Sequence, residues 1–351
     1  METIDIMRIF VPATISFLFG IGLTPFLTYF LYKYRFWKRK GGKTALDGTP
    51  AETFNRLHTA KEVGTPRAGG ILVWGSVIIT AGLLGLLAAL SPDAFGNLAF
   101  ISREQTWLPL AALAMGAFVG FIDDLYEVRG KGGLPLRIRL LVVAAVALFC
   151  AWWFYSKLGV SAISFPFVHG PVDLGVFFIP FFILVALALY AGGVIDGIDG
   201  LSGGVYGSIF AAYAGIAFFQ NQFNIAALCA AILGGLLAFL WFNIPPARFY
   251  LSETGTMGLT LALTVIVFLT DLRGAGRGLM VLPIIALPLV VTVLSIFLQI
   301  ASKKIFKRKL FMVAPLHHHF EAMGWPAYKV TMRYWVVGIV CAIVGMSIAL
   351  L

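Results

Sequence analysis

Ten times along its length this chain runs long enough, and with too few charges, to be anything but a helix crossing a bilayer. A transmembrane helix needs roughly 20 mostly apolar residues, and in hydrocarbon only helices or closed barrels can satisfy their own backbone. The runs are too continuous for barrel strands. They fall at about Ile6 to Tyr32, Gly70 to Leu90, Trp107 to Phe121, Leu140 to Trp153, Val176 to Tyr190, Gly203 to Phe219, Ile225 to Phe242, Met257 to Thr270, Leu279 to Ile300 and Tyr334 to Leu351. The expected fold is therefore all-α: a polytopic integral membrane protein of about ten transmembrane helices, forming one domain over residues 1–351. The first run is longer than a signal-peptide core and has no basic leader, so it reads as a retained span.

Composition agrees. Of 351 residues, 60% are apolar and 12% charged, against roughly 45–50% and 25% in soluble domains. The net charge of +10 does not point to nucleic acid, because no soluble basic domain is present to carry it; Lys and Arg in such a chain report orientation and contact with anionic headgroups. Cys150, Cys229 and Cys341 sit inside apolar runs without metal-ligand spacing, which argues against a zinc site or a disulfide framework.

With the connections numbered in order, the odd ones hold 21 of the 26 Lys and Arg residues. The positive-inside rule then makes the odd connections cytoplasmic and leaves both termini outside. Every chemically suggestive cluster falls on that same side, in loops near 33–69, 122–139, 191–202, 243–256 and 301–333.

Asp123 and Asp124 lie side by side where an apolar helix meets the cytoplasm. Adjacent anions are favourable when a cation or a transferable proton relieves them, so the pair reads as a Mg²⁺ site or a base, or else as a solvated helix end. Asp196 and Asp199 stand in a glycine-rich loop with no Lys or Arg of its own, an arrangement that favours an external cation or a hydrogen-bonding ligand over an ordinary glycine-rich turn. Glu253 follows Pro245 and Pro246, which expel the chain from the preceding helix; it reads as a metal ligand or as an acid stabilising the next helix's first turn. His317, His318 and His319 cannot all face one metal from one helix, but imidazoles can hold phosphate or nucleotide. The basic run Lys303 to Lys309 reads as a headgroup anchor, or as a guide for an anionic substrate.

Taken together, these stretches resemble the polyprenyl-phosphate N-acetylhexosamine-1-phosphate transferases, and within them the muramoyl-pentapeptide branch. The resemblance rests on Gly64-Thr65-Pro66 with Gly69-Gly70, Phe121-Ile122-Asp123-Asp124, Asp196-Gly197-Ile198-Asp199-Gly200, Trp241-Phe242-Asn243 with Pro245-Pro246, and Ala314-Pro315-Leu316-His317-His318-His319-Phe320-Glu321 with Gly324-Trp325. It covers nearly the whole chain, and the histidine block is its most specific part.

The resemblance implies that undecaprenyl phosphate attacks the β-phosphate of UDP-N-acetylmuramoyl-pentapeptide, giving lipid I and UMP at the cytoplasmic face of the bacterial inner membrane. It implies Mg²⁺ held by Glu253 and Asp123. Asp123, Asp124, Asp199 and His317 are implied as catalytic, and Lys61, Asp196, Tyr250, His318 and His319 as substrate-binding, with Tyr250 stacking on uracil. A homodimer and the surrounding lipids complete the implied partners. A related transferase using another UDP-N-acetylhexosamine and a lipid-linked substrate transporter are the alternatives. Transporters line a central path with ionisable groups, whereas here the acids gather at loop ends on one face. Three departures from the family stand out: Glu253 replaces an Asp, Tyr190-Ala191-Gly192-Gly193 replaces a stretch with asparagines, and Arg67-Ala68 replaces Thr-Met.

Overall fold

The computed structural model describes residues 3–39, 41–42, 55, 62–102, 105–164, 170–273 and 277–351. Among these, ten helices are long and apolar enough to cross a membrane. They are α1 (Thr3–Lys33), α2 (Gly70–Leu90), α3 (Trp107–Val128), α4 (Leu136–Lys157), α5 (Phe178–Ala191, carried to a full span over Gly175–Ile195 by 3-10 turns at both ends), α6 (Leu201–Phe219), α7 (Phe223–Asn243), α8 (Ser252–Arg273), α9 (Leu287–Phe306) and α10 (Ala327–Leu350). The only strands among the described residues are Ala162–Ile163 and Val172–Asp173, a short antiparallel pair between α4 and α5.

All ten runs expected from the sequence are present, with three instructive differences at their ends. The helix α3 does not stop at Phe121 but continues to Val128, so Asp123 and Asp124 lie in its closing turns and not in a loop. Once Gly116 and Gly120 have brought α3 against α8, polar side chains in the last turns find partners there, and nothing forces the helix to end. Glu253, expected in a loop, lies in the first turn of α8. The ninth run is broken into Arg277–Met280, Leu282–Ile285 and α9. Pro283 and Pro288 account for this, because proline is tolerated in a helix's first turn but not in its interior, so each one restarts the helix.

The helix α8 is the axis of the bundle: it is almost wholly buried, mainly against α3 and also against α2, α5 and α6. Its buried threonines satisfy themselves. Thr256, Thr260, Thr264 and Thr270 each donate to the carbonyl one turn back, which lets a fairly polar helix occupy the centre of a membrane bundle without orphaned hydroxyls.

Close approach is bought by glycine at two points. A Cβ on Gly120 would collide with the carbonyl of Glu253, and one on Gly70 with the backbone of Gly255. These two glycines therefore seat the amino end of α8 against α3 and α2. Gly120→Ala is expected to cost about 1–3 kcal/mol through overpacking, visible as a lower melting temperature in detergent. The Gly120→Ala protein melting like the parent would show that the contact is slack.

Candidate active site

The amino end of α8 is where the odd connections meet. A helix leaves its first N–H groups without intrahelical partners, and here carboxylates from elsewhere in the chain supply the acceptors. Asp124, at the end of α3 and fully buried, takes the Ser252 hydroxyl, the Thr254 N–H and the Thr254 hydroxyl on Oδ2, at 2.5, 3.0 and 2.5 Å. Its Oδ1 accepts from Arg67 Nε at 3.1 Å. Asp196 accepts the Ser252 N–H on Oδ2 and the Ser202 hydroxyl on Oδ1, both at 2.7 Å. Ser252 thus stitches the two aspartate motifs together.

The segment before α2 is laid along the one before α8. Tyr250 N–H donates to Pro66 O at 2.9 Å, Gly69 N–H to Tyr250 O at 2.8 Å, and Ala68 N–H to Ser252 Oγ at 2.8 Å. This pairing carries Arg67 inward, where it bonds Glu127 at 2.8 Å as well as Asp124. Burial works against the Arg67 charge, but Glu127 and then Asp124 outweigh it and hold the guanidinium above its ordinary range. Lys38 continues the network, 2.9 Å from Glu127 and 3.1 Å from Glu62. Tyr250 is largely enclosed, and burial pushes its hydroxyl up to about 12 against the lowering effect of a bond to Thr65; it stays a neutral phenol at any working pH.

On the other side of α3 the pattern differs. Gly130, Gly132 and Gly133 all take positive φ, a turn that presents the Leu134 N–H to Asp123 Oδ1 at 2.5 Å. Asp123 Oδ2 faces Arg139, in the first turn of α4, at 3.8 Å. Arg139 Nη1 is 2.7 Å from Glu253 Oε1, while Glu253 Oε2 is 3.4 Å from the Tyr190 hydroxyl. Two carboxylates from different helices therefore share one guanidinium.

The histidines close a third side. His317 and His318 are buried on the short helix Leu316–Ala322, and a Cβ on Gly197 would meet both of their Nε2 atoms, at 2.5 and 2.8 Å. The missing side chain at Gly197 is what lets the two imidazoles reach the loop between Asp196 and Asp199. His318 Nδ1 is held by Glu321 at 2.7 Å.

Residues 106–271 match the glycosyl transferase family 4 profile. Over nearly its full length the chain is similar to proteins named phospho-N-acetylmuramoyl-pentapeptide-transferase. It is 30% identical to that of Geobacillus sp. (strain WCH70), over 95% of both chains. It is 31% identical to that of Caldanaerobacter subterraneus subsp. tengcongensis, over 97% of this chain and 98% of the relative. It is also 31% identical to that of Listeria monocytogenes serotype 4b, over 96% of both. The chain belongs to the phospho-N-acetylmuramoyl-pentapeptide transferase family.

In this family member the residues singled out from the sequence do not all converge. Asp123, Asp124, Asp196, Tyr250 and Glu253 surround the start of α8, and His317 and His318 join them through Gly197. Asp199 turns aside: its Oδ2 accepts the Ala247 N–H at 3.3 Å, and Thr331 and Trp335 of α10 bond the carbonyls of Asp199 and Gly200. His319 faces away toward the Met312 N–H and the Phe311 ring. Lys61 lies outside the described residues. The sequence reading missed Lys38, Glu127, Arg139 and Ser252, and noticed Arg67 only as a departure. Basic residues flanking a span were read as orientation signals, and nothing local distinguishes such a residue from one that turns inward.

Among the described residues, Asp123, Asp124 and Glu127 bring carboxylate oxygens within 4.8 Å of one another, close enough to hold a metal ion. Hard oxygen donors of this kind suit Mg²⁺. Asp124 and Glu127, however, already carry Arg67, and Asp124 accepts four donors. Asp123 Oδ2 and the Glu253 carboxylate carry fewer partners among the described residues: Arg139 for both, and the longer Tyr190 contact for Glu253.

Proposed function

We propose that the protein transfers phospho-N-acetylmuramoyl-pentapeptide from its UDP donor to undecaprenyl phosphate, releasing UMP and leaving lipid I in the membrane. The observation that carries this reading is the gathering of Asp123, Glu253, Arg139 and the His317–His318 pair around the buried start of α8 in a chain of this family. The basic bias of the odd connections supports a site on the cytoplasmic face of the bacterial inner membrane, with both termini outside.

The reaction brings two phosphoryl groups together, and like charges must be neutralised before an oxyanion of the lipid phosphate can reach the β-phosphorus. Asp123 and Glu253 would hold Mg²⁺, which when bound supplies charge neutralisation at the reacting oxygens. The chain's own groups do the rest. His317 and His318 hold the nucleotide end by hydrogen bonds to phosphate or uridine, and Tyr250 offers its face to uracil. Asp196 and Asp124 fix the start of α8, so that Glu253 is presented at a constant position. Arg139, whose buried Nε–H has no acceptor among the described residues, stands ready for an anionic oxygen. Asp199 supports the loop that carries Asp196.

Purified protein in detergent, given undecaprenyl phosphate and the muramoyl-pentapeptide donor, is expected to release UMP with Mg²⁺ present and to stop when EDTA removes it. Release of UMP only with UDP-N-acetylglucosamine would reassign the sugar, and movement of lipid-linked label across proteoliposomes without UMP would reject the transferase reading. Cysteine labelling that puts the Asp123 turn and the His317 helix on opposite faces would reject the topology.

A further inference from the structure

Among the described residues, Arg139 is the one cation that pairs with both Asp123 and Glu253, and it holds them unequally. Its Nη1 makes a hydrogen bond to Glu253 at 2.7 Å but stands 3.8 Å from Asp123 Oδ2, beyond hydrogen-bonding distance. Its Nε–H is buried and finds no acceptor among the described residues. Guanidinium–carboxylate bridges are frequently two-pronged forks. This one leaves a prong unused and one carboxylate incompletely met, although two largely buried anions from α3 and α8 need a positive charge between them.

We propose that Arg139 is an internal counter-ion standing in the place of the divalent cation: it closes the Asp123–Glu253 pair when no cation is bound and has to leave when one enters. The inference rests on the reading that these two carboxylates bind the cation, and adds that Arg139 sets how tightly they do so. The argument is one of exclusion. Two carboxylates that both face one guanidinium nitrogen can share one small region of positive charge, and a guanidinium and a divalent cation occupying it together would repel each other at close range. Whatever holds Arg139 in place is therefore subtracted from cation affinity. Arg139 is thus a positioning residue whose removal should strengthen metal binding while harming turnover, a combination that a purely structural role does not produce.

The test uses the full chain in detergent at fixed ionic strength, without substrates, and Mn²⁺ as the probe, with free Mn²⁺ read by electron paramagnetic resonance. Arg139→Gln is expected to bind Mn²⁺ about tenfold more tightly than the parent, equivalent to about 1.4 kcal/mol. Binding by the parent with equal or weaker binding by Arg139→Gln would overturn the inference and leave the metal reading standing; no binding by either would overturn both. A second measurement on the unaltered protein does not depend on the variant folding. Phenylglyoxal modification of Arg139, followed by mass spectrometry, should be severalfold faster with saturating Mn²⁺ than without it. An unchanged rate, or protection by Mn²⁺, would overturn the exchange.

Discussion

Asp124→Ala is expected to unfold the protein or lower its melting temperature in detergent more than any other single substitution at the site. The carboxylate is fully buried and accepts four hydrogen bonds from three residues, Arg67, Ser252 and Thr254. Removing it strips the cap from α8, worth about 0.5–2 kcal/mol in simpler settings. It also leaves the enclosed Arg67 guanidinium with Glu127 as its remaining ion-pair partner among the described residues; breaking a buried ion pair by deleting one side costs about 3–5 kcal/mol. Asp124→Asn keeps the volume but brings an amide N–H₂ among donors, so it should recover little. The measurement is thermal unfolding of the parent and both variants in one detergent. An Asp124→Ala protein that melts within a degree or two of the parent would show that these bonds do not hold the start of α8.

Glu253→Ala should give the opposite signature: a folded protein that does not turn over. Among the described residues Glu253 has one ion-pair partner, Arg139, and the two side chains retain some exposure, 22% and 24%. Water can therefore take over the solvation of Arg139 when its partner is gone, and the packing of α8 against α3 does not depend on this side chain. Catalysis does, if Glu253 helps hold the cation between the two phosphoryl groups, and a loss of about 10²- to 10³-fold in kcat follows from the usual cost of removing one preorganised electrostatic group. Asp123→Ala should behave alike, with a smaller change in melting than Asp124→Ala. Glu253→Asp tests the reach of the side chain: its carboxylate would withdraw by about one methylene from Arg139, and a displacement of that size costs as much as about 10²-fold in rate. Turnover unchanged in both alanine variants would remove Asp123 and Glu253 from the site.

The contrast between Asp123 and Asp124 also marks where sequence reading ends. Ten spans were legible because a bilayer leaves a chain so few options: an apolar run of sufficient length must be helical, and its backbone bonds close within the run itself. The clustering of acids and histidines on alternate connections was legible for the same reason, since each span reverses the direction of the chain. Prolines told where helices restart, and the glycine-rich Asp196–Asp199 stretch announced a place of close approach.

What the linear sequence did not determine is which of these groups are already occupied. Neighbours on a helix point about 100° apart, so Asp123 and Asp124, which look like a matched pair on paper, face different surroundings. Asp124 turns to the start of α8 and to Arg67, and its lone pairs are filled. Asp123 turns to the Leu134 N–H and to Arg139, and keeps an oxygen beyond hydrogen-bonding distance of the guanidinium. Likewise Arg67 and Arg139 become site residues only because α2, α3, α4 and α8 pack at one point, a fact held in contacts between residues 57 to 114 positions apart. Length and polarity fix a helix's place in the membrane locally; which donor meets which carboxylate depends on how distant helices are rotated and seated against each other, and that is settled only by tertiary packing.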